Sequence, residues 1–408
     1  MRRVCAGVRL RRPLPAALDR VVVMIPYELY RILQCPTCGS RDLVVTDAGV
    51  RCAGCATEYP RHDGYLDLMP RQVEFGYVSK YVAEEEALAE ELDYRDLAPP
   101  LLAAGVRNRA LVRLLQLGPG DVTLDNGCGN GRFAVWNAGR VALMIGSDPA
   151  TLFADEALAK VGLAQADSRR LPFADNSFDK AFSIDVLEHF PLDVIDAYLA
   201  EQARVLRPGG RFLAFSNTRE PSALQPLVNA SRWLGRQFVR AGLYDFQREA
   251  RRKSDHVKAL ETWEDVLAAF ERAGLRPVRV LFWNSVFTSF VEHVLMKLGE
   301  AVLGRQPGTG SRKAAEGQPG DAAGSSPAEG TDREIRARRR LRGRLGRRGL
   351  VYYALMAVTL LMELDLWLFG RLRSGSYFIV VEKPADGSQS QALRTTAAAH
   401  AAAPEERP

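Results

Sequence analysis

Four cysteines, Cys35, Cys38, Cys52 and Cys55, fall as C-P-T-C-G and C-A-G-C on either side of the run L-V-V-T-D-A-G-V-R. Thiolates on two knuckles joined by a short hairpin can close a tetrahedral shell around zinc with no open position, which is structural rather than catalytic chemistry. A redox C-x-x-C is the competing reading, disfavoured because both pairs are complete and no βαβ pattern surrounds them. Further along, Asp125 is followed by alternating glycines, Gly127, Gly129 and Gly131, in V-T-L-D-N-G-C-G-N-G. In such a turn the backbone approaches a ligand where any side chain would block it. Asp148 closes the next apolar run, seventeen residues beyond Gly131, and a carboxylate there can accept from both hydroxyls of a ribose. Asp167 and Ser168 end a third apolar run, where a carboxylate can accept from an exocyclic amine. Asp185, Glu188 and His189 in D-V-L-E-H, and His256 in D-H-V, are the acid–base candidates.

These residues need a scaffold, and from Asp121 the chain repeats strand, turn and helix. Apolar runs predict strands at Val122 onward, Val141–Ser147, Leu163–Ala166, Phe178–Ile184, after the P-G-G of L-R-P-G-G, at Val278–Trp283 and over S-Y-F-I-V-V-E-K-P. Most of the candidate side chains then lie at carboxyl ends of strands, the edge where open α/β sheets bind ligands. Upstream, residues 80–117 read as helices. They comprise an acidic run (Glu84 to Glu91) on a solvated face, a segment near Tyr94 that could act as a lid, a break at Pro99-Pro100, and an apolar-periodic helix.

The D-x-G-C-G-x-G turn, the acidic second-strand tip, L-P-F…S-F-D, D-V-L-E-H and L-R-P-G-G occur in one order and spacing. In that order they resemble the class I S-adenosylmethionine-dependent methyltransferases of the type 11 kind, over about residues 92–383. The resemblance implies a Rossmann-like seven-stranded α/β sheet. It would set Asp125, Gly127, Gly129 and Gly131 against the methionine moiety and ribose, Asp148 on the ribose hydroxyls, and Asp167 with Ser168 at the adenine. Asn126 stands where many members carry an apolar or acidic residue, which puts that contact in question. D-x-x-E-H is similar to the E-x-x-E-H stretch of ubiquinone-pathway O-methyltransferases, where such side chains can hold a divalent ion. Catalytic roles for His189, Asp185 and His256 stand beside a simpler one of packing the pocket. Residues 29–70, with C-P-x-C in front and Y-P-R-H-D-G-Y-L-D-L-M-P behind, resemble the small zinc-ribbon activator of tRNA and translation-factor methyltransferases, which implies support for a partner domain. A dinucleotide-dependent dehydrogenase is disfavoured because the turn is not G-x-G-x-x-G.

The chain has 408 residues, 47% apolar and 25% charged, and a formal charge of +6, as expected of a globular protein. The positive charge is concentrated in residues 1–23 and 331–348, which carry +5 and +7 and leave the rest at −6. That acidic balance, and the lack of an N-P-P-Y signature, count against nucleic acid. Cysteines grouped as knuckles suit a reducing cytoplasm. Residues 1–28 are basic and unassigned, a poor signal peptide.

Two insertions depart from the repeating pattern. Thr218 to Leu260, with Trp233, Phe238, Tyr244, Phe246 and R-E-A-R-R-K-S-D-H, lies where the resemblance places the acceptor pocket. Residues 284–375 separate the last two strands within a methyltransferase region set at 80–383. They hold an amphipathic helix from Val286 toward Val302, a disordered basic linker (305–348) and the apolar run L-V-Y-Y-A-L-M-A-V-T-L-L-M. Glu363 and Asp365 interrupt that run about 200° apart on a helix. The segment 333–370 therefore reads as a peripheral arm at the inner face of the membrane rather than a span, against the alternative of an ordinary packed cap. A disordered tail occupies 384–408. The expected activity is methyl transfer from S-adenosylmethionine to a small, apolar or lipid-linked acceptor on O or N, with structural zinc. An RNA methyltransferase and a non-catalytic scaffold are the alternatives.

Overall fold

The computed structural model describes residues 25–71, 77–78, 80–83, 97–240, 256–296, 298 and 349–385. Cys5, the acidic run at 84–91, Tyr94, Tyr244, Phe246, the basic run beside them, residues 305–348 and the tail beyond 385 lie outside the described residues.

The N-terminal part comprises α1 (Tyr27–Arg31) and four short strands, β1 (Leu43–Thr46), β2 (Gly49–Cys52), β3 (Glu58–His62) and β4 (Tyr65–Asp67). Helices α2 (Lys80–Ala83) and α3 (Leu102–Leu115) follow. The alternating part then runs β5 (Val122–Asn126), α4 (Arg132–Asn137), β6 (Leu143–Asp148), α5 (Asp155–Lys160), β7 (Gly162–Gln165), β8 (Phe178–Ile184), α6 (Leu192–Val205) and β9 (Leu206–Asn217). The rest is α7 (Gln225–Arg240), α8 (Trp263–Arg272), β10 (Arg276–Phe282), α9 (Val286–Phe290), α10 (Leu350–Phe369) and β11 (Ser376–Glu382).

The seven-stranded sheet has the order β7-β6-β5-β8-β9-β11-β10. Its first five members are parallel, and β11 runs antiparallel to both β9 and β10. Strand order reverses between β5 and β8, the switch point at whose carboxyl edge open sheets form a crevice. Successive residues alternate between two cores. Ala181 and Phe212 face a layer with Tyr198 of α6 and Phe270 of α8. Phe182 and Leu213 face the other, with Leu111 of α3 and Met362 of α10.

Two features differ from the pattern-based reading. The fifth strand starts at Leu206, before the P-G-G turn, because Leu206 pairs with Phe178 and the chain bulges before Arg211 meets Lys180. Gly209 takes φ 77° in that bulge, and Gly209 and Gly210 exchange backbone hydrogen bonds with Lys383. The ribbon does not stand apart as a separate support. Strand β4 lies parallel to β7, Tyr65 beside Leu163 and Asp67 beside Gln165, so one eleven-stranded sheet runs through both parts. The Gln34 amide donates to Pro172, the Ala174 amide to Ile32, and Arg170 to the carbonyl of Thr37 inside the first knuckle at 2.6 Å.

Helices α7, α9 and α10 cluster at the carboxyl edge, because α7 follows β9, α9 follows β10 and α10 leads into the antiparallel β11. Helix α10 continues unbroken through both acids. Glu363 pairs with Arg109 of α3 at 3.5 Å. Asp365 is fully buried and accepts from the amides of Phe287 (2.9 Å) and Thr288 (2.8 Å), satisfying donors at the start of α9 that no helical carbonyl can reach. After Phe290 the expected amphipathic helix changes to a π-helix over Val291–Leu295, and Val302 lies outside the described residues. By length and composition α10 could cross a bilayer, but one side of it is packed on α3 and α9.

Candidate functional site

The four cysteines converge as their spacing predicts. Cys35 and Cys55 sulfurs are 3.7 Å apart, Cys38 and Cys52 sulfurs 3.6 Å, and all four lie within 4.8 Å of one another without a disulfide. Sulfurs each ~2.3 Å from a tetrahedral zinc are ~3.8 Å apart along an edge. The cluster is compatible with zinc and has the closed geometry of a structural centre. Tyr59, fully within the core, sets its hydroxyl 3.2 Å from the Cys35 sulfur.

At the switch point the turn after β5 carries three glycines with positive φ: Gly127 at 82°, Gly129 at 55° and Gly131 at 79°. Their reasons differ. A Cβ on Gly127 would come within 2.5 Å of the Val186 side chain, and one on Gly131 within 2.6 Å of Ala157. A Cβ on Gly129 would meet nothing within 4 Å. Gly127 and Gly131 let the turn pack, whereas the space over Gly129 is open for a ligand.

Asp125 is buried at the tip of β5, and its Oδ2 has no hydrogen-bond partner among the described residues. Burial, and then the neighbouring Asp148 carboxylate, push Asp125 well above the usual carboxylate range. Asp148 itself turns back onto the glycine loop, accepting from the Gly129 amide at 2.8 Å and the Ala150 amide at 3.0 Å. Asp167, after β7, is held in a fork by Arg169 at 2.8 and 2.6 Å. Ser168 points inward, donating to Asn126 Oδ1 at 2.7 Å. That same oxygen accepts from Ser147 at 3.0 Å, and Asn126 is fully buried. The departure noted at Asn126 thus ties the tips of β5, β6 and the β7 loop together beneath the crevice. The orphaned Asp125 oxygen and the open space above Gly129 fit a cationic, ribose-bearing cofactor lying across the turn.

On the other side of the switch point, the chain after β8 carries the acid–base candidates. Asp185 has φ 60° and binds Arg107 of α3 at 3.1 Å. The Arg107 guanidinium lies 4.8 Å from the Phe215 ring centroid and 5.5 Å from that of Trp283. Glu188 accepts from Ser216 at 2.7 Å and Asn217 at 3.2 Å. Burial raises its carboxyl, Asp185 raises it further, and His189 opposes both. His189 stacks edge-on against His256 with centroids 4.8 Å apart. One ligand atom each from Glu188, His189 and His256 lie within 4.8 Å of one another. The structure therefore brings together two of the three catalytic candidates, His189 and His256, with Glu188, and turns Asp185 toward Arg107 instead. The segment bearing His256 is clipped on by the Lys258 amide, which donates to the Glu188 carbonyl at 2.9 Å. Arg107, Ser216, Asn217 and Lys258 carry no motif, and pattern alone could not have found them.

Residues 124–214 match the family described as a methyltransferase domain. The stretch from β5 to β9 matches as a methyltransferase domain. The chain is 36% identical to "Methyltransferase GfsG" of Streptomyces halstedii, across 126 residues that cover 28% of this chain and 44% of that one. It is 26% identical to the ubiquinone biosynthesis O-methyltransferase of Cereibacter sphaeroides across 207 residues, 48% of this chain and 70% of that one. Among solved structures, a phosphoethanolamine N-methyltransferase 2 of Haemonchus contortus aligns with a TM-score of 0.40 at 18% identity, covering 68% of this chain and 52% of that one. The chain spans about half or less of the length of the first curated relatives it matches. The glycine turn, Asp148, Asp167 and the Glu188–His189 pair all close or follow the carboxyl ends of the parallel strands β5 to β8.

Proposed function

We propose that this chain transfers a methyl group from S-adenosylmethionine to an O or N atom of a small, apolar or lipid-linked acceptor. The observation that carries the reading is the turn at Asp125 to Gly131, which combines a buried carboxylate oxygen without a partner among the described residues with open space over Gly129. Asp125 and the Gly129 backbone would hold the amino acid part and ribose, Asp148 the ribose hydroxyls, and the Asp167 loop the adenine. The cofactor supplies a methyl group on a sulfonium, so this chain's task is in-line positioning of the acceptor and disposal of its proton. His189, with Glu188 beside it and His256 across its ring, would take that proton from an acceptor hydroxyl or ammonium. The same three side chains could alternatively hold a divalent ion that orients the acceptor. The names of relatives that act on a rifamycin and on ubiquinone precursors support a small-molecule acceptor. Nothing comparable in the site favours nucleic acid.

The test supplies purified chain and S-adenosylmethionine labelled on the methyl group to lipid, small-metabolite and RNA fractions from cells lacking the protein. Label entering an apolar extract, and lost with His189→Asn, supports the reading. Label entering RNA alone would overturn the acceptor class.

A further inference from the structure

The carboxyl edge carries a surface that neither the core nor the methyl-transfer site explains. Along α10, Tyr353, Ala357, Leu360, Leu364, Trp367 and Leu368 recur every few residues and face solvent, Tyr353 58% and Trp367 75% exposed. Both acids of the helix are withdrawn from this stripe, Glu363 to Arg109 and Asp365 into the start of α9. Beside it, α7 packs on α9 and contains no acidic residue. Its Arg232, Arg236 and Arg240 recur every four residues on the exposed side, next to Trp233, which is 58% exposed. The stretch 331–348, with nine arginines against two acids, runs up to the start of α10.

We propose that α10 and α7 together form a docking surface for an anionic lipid bilayer, with α10 lying in the boundary between headgroups and acyl chains rather than crossing it. An apolar stripe this long on an otherwise folded surface marks an interaction site. Arginines flanking it are drawn to anionic headgroups, and exposed Trp and Tyr suit the polar–apolar boundary. These charges select the bilayer over a second copy of the chain, whose identical basic helix would be repelled. Burial of Thr359, Met362, Asp365 and Leu366 ties the opposite side of α10 to the rest of the fold, so the helix offers a bilayer one face rather than its whole circumference. Docking there would bring the helices that follow β9 and β10, at the carboxyl edge that bears His189, to the lipid surface. The inference deepens the proposed methyl transfer and rests on it for the acceptor. The docking itself needs no cofactor.

Flotation of the full chain with phosphatidylcholine vesicles, with and without phosphatidylglycerol, tests the proposal. Partition onto the anionic vesicles is expected to be at least about tenfold stronger and to fall as salt rises. Replacing Arg232, Arg236 and Arg240 together by Gln is expected to lower it by roughly 100-fold. The exposed-site pair Leu360→Ser with Trp367→Ser is expected to lower it about tenfold or more. Brominated acyl chains should quench tryptophan emission, with much of the quenching lost in Trp367→Phe. Absence of flotation, equal partition onto neutral and anionic vesicles, or a stable dimer dispersed by Trp367→Ser would overturn it. Calorimetry with S-adenosylmethionine on the same preparations separates the two claims. Cofactor binding without flotation refutes docking alone, and flotation without cofactor binding refutes the methyl-transfer reading alone.

Discussion

Replacing Asp125 by Asn should stabilise the cofactor-free protein and weaken its response to cofactor. In the folded chain Asp125 is 2% exposed, with one oxygen that no described donor reaches. Ionising a carboxyl there is opposed by burial and then by the like charge of Asp148, a cost of ~1–3 kcal/mol or more for a buried group that the neutral amide of Asn does not incur. For a chain of 408 residues ~1 kcal/mol moves the melting temperature by about 1 °C, so the Asn variant should melt about 1–3 °C higher without ligand. The gain must depend on pH. The Asp125 pKa is raised above its unfolded value of 3.8 by burial and by Asp148, so its stabilising contribution is complete below 3.8 and is lost as pH rises through the folded value. The advantage of Asn should therefore be small near the unfolded value and grow to a plateau above the folded one. Ligand at a hundred times its dissociation constant stabilises a folded state by ~2.7 kcal/mol. That shift should appear in the wild type with S-adenosylmethionine and shrink in Asp125→Asn. Thermal melts of both proteins across pH, with and without cofactor, decide the matter. A variant that melts lower at neutral pH, or that keeps the full cofactor shift, would refute the reasoning.

Further outcomes follow from the geometry. Gly129→Ala should fold, at a cost of ~1–2 kcal/mol for a left-handed non-glycine residue, and lose cofactor affinity. Gly127→Ala, aimed at Val186, should be distinctly less stable in urea titrations. Metal analysis should find one zinc per chain, lost in Cys52→Ser. Because Arg170 grips the Thr37 carbonyl of the first knuckle, zinc removal should also weaken cofactor binding in calorimetry. Asp365→Ala strips the two amides at the start of α9 of their buried acceptor and should cost ~2 kcal/mol or more, whereas Asp365→Asn should cost less. Denaturation midpoints compare the two.

The glycine turn and the acids near it could be read from the chain as one group, because its parts are local. A strand tip, a glycine turn and an acid at the next tip lie within about thirty residues, and the backbone conformations they require restrict residue type. The four-cysteine cluster is legible for the same reason. What escaped was set by contacts between distant segments. Arg107 meets Asp185 only because α3 crosses the carboxyl edge, and this converts a candidate base into half of an ion pair. The sheet pairing of β4 with β7 rests on three residues per strand, too short for any periodicity to announce. Glu363 and Asp365 look like interruptions of an apolar helix in sequence. In the fold each meets its own partner, and the helix runs on.

The central claim is that the glycine turn at Asp125 to Gly131 holds S-adenosylmethionine. Isothermal calorimetry of the full chain, beside Asp148→Ala, tests this most directly. Saturable binding of one cofactor per chain, lost or greatly weakened in the variant, is the predicted result. No heat of binding in the wild type, or equal affinity in both proteins, would contradict it.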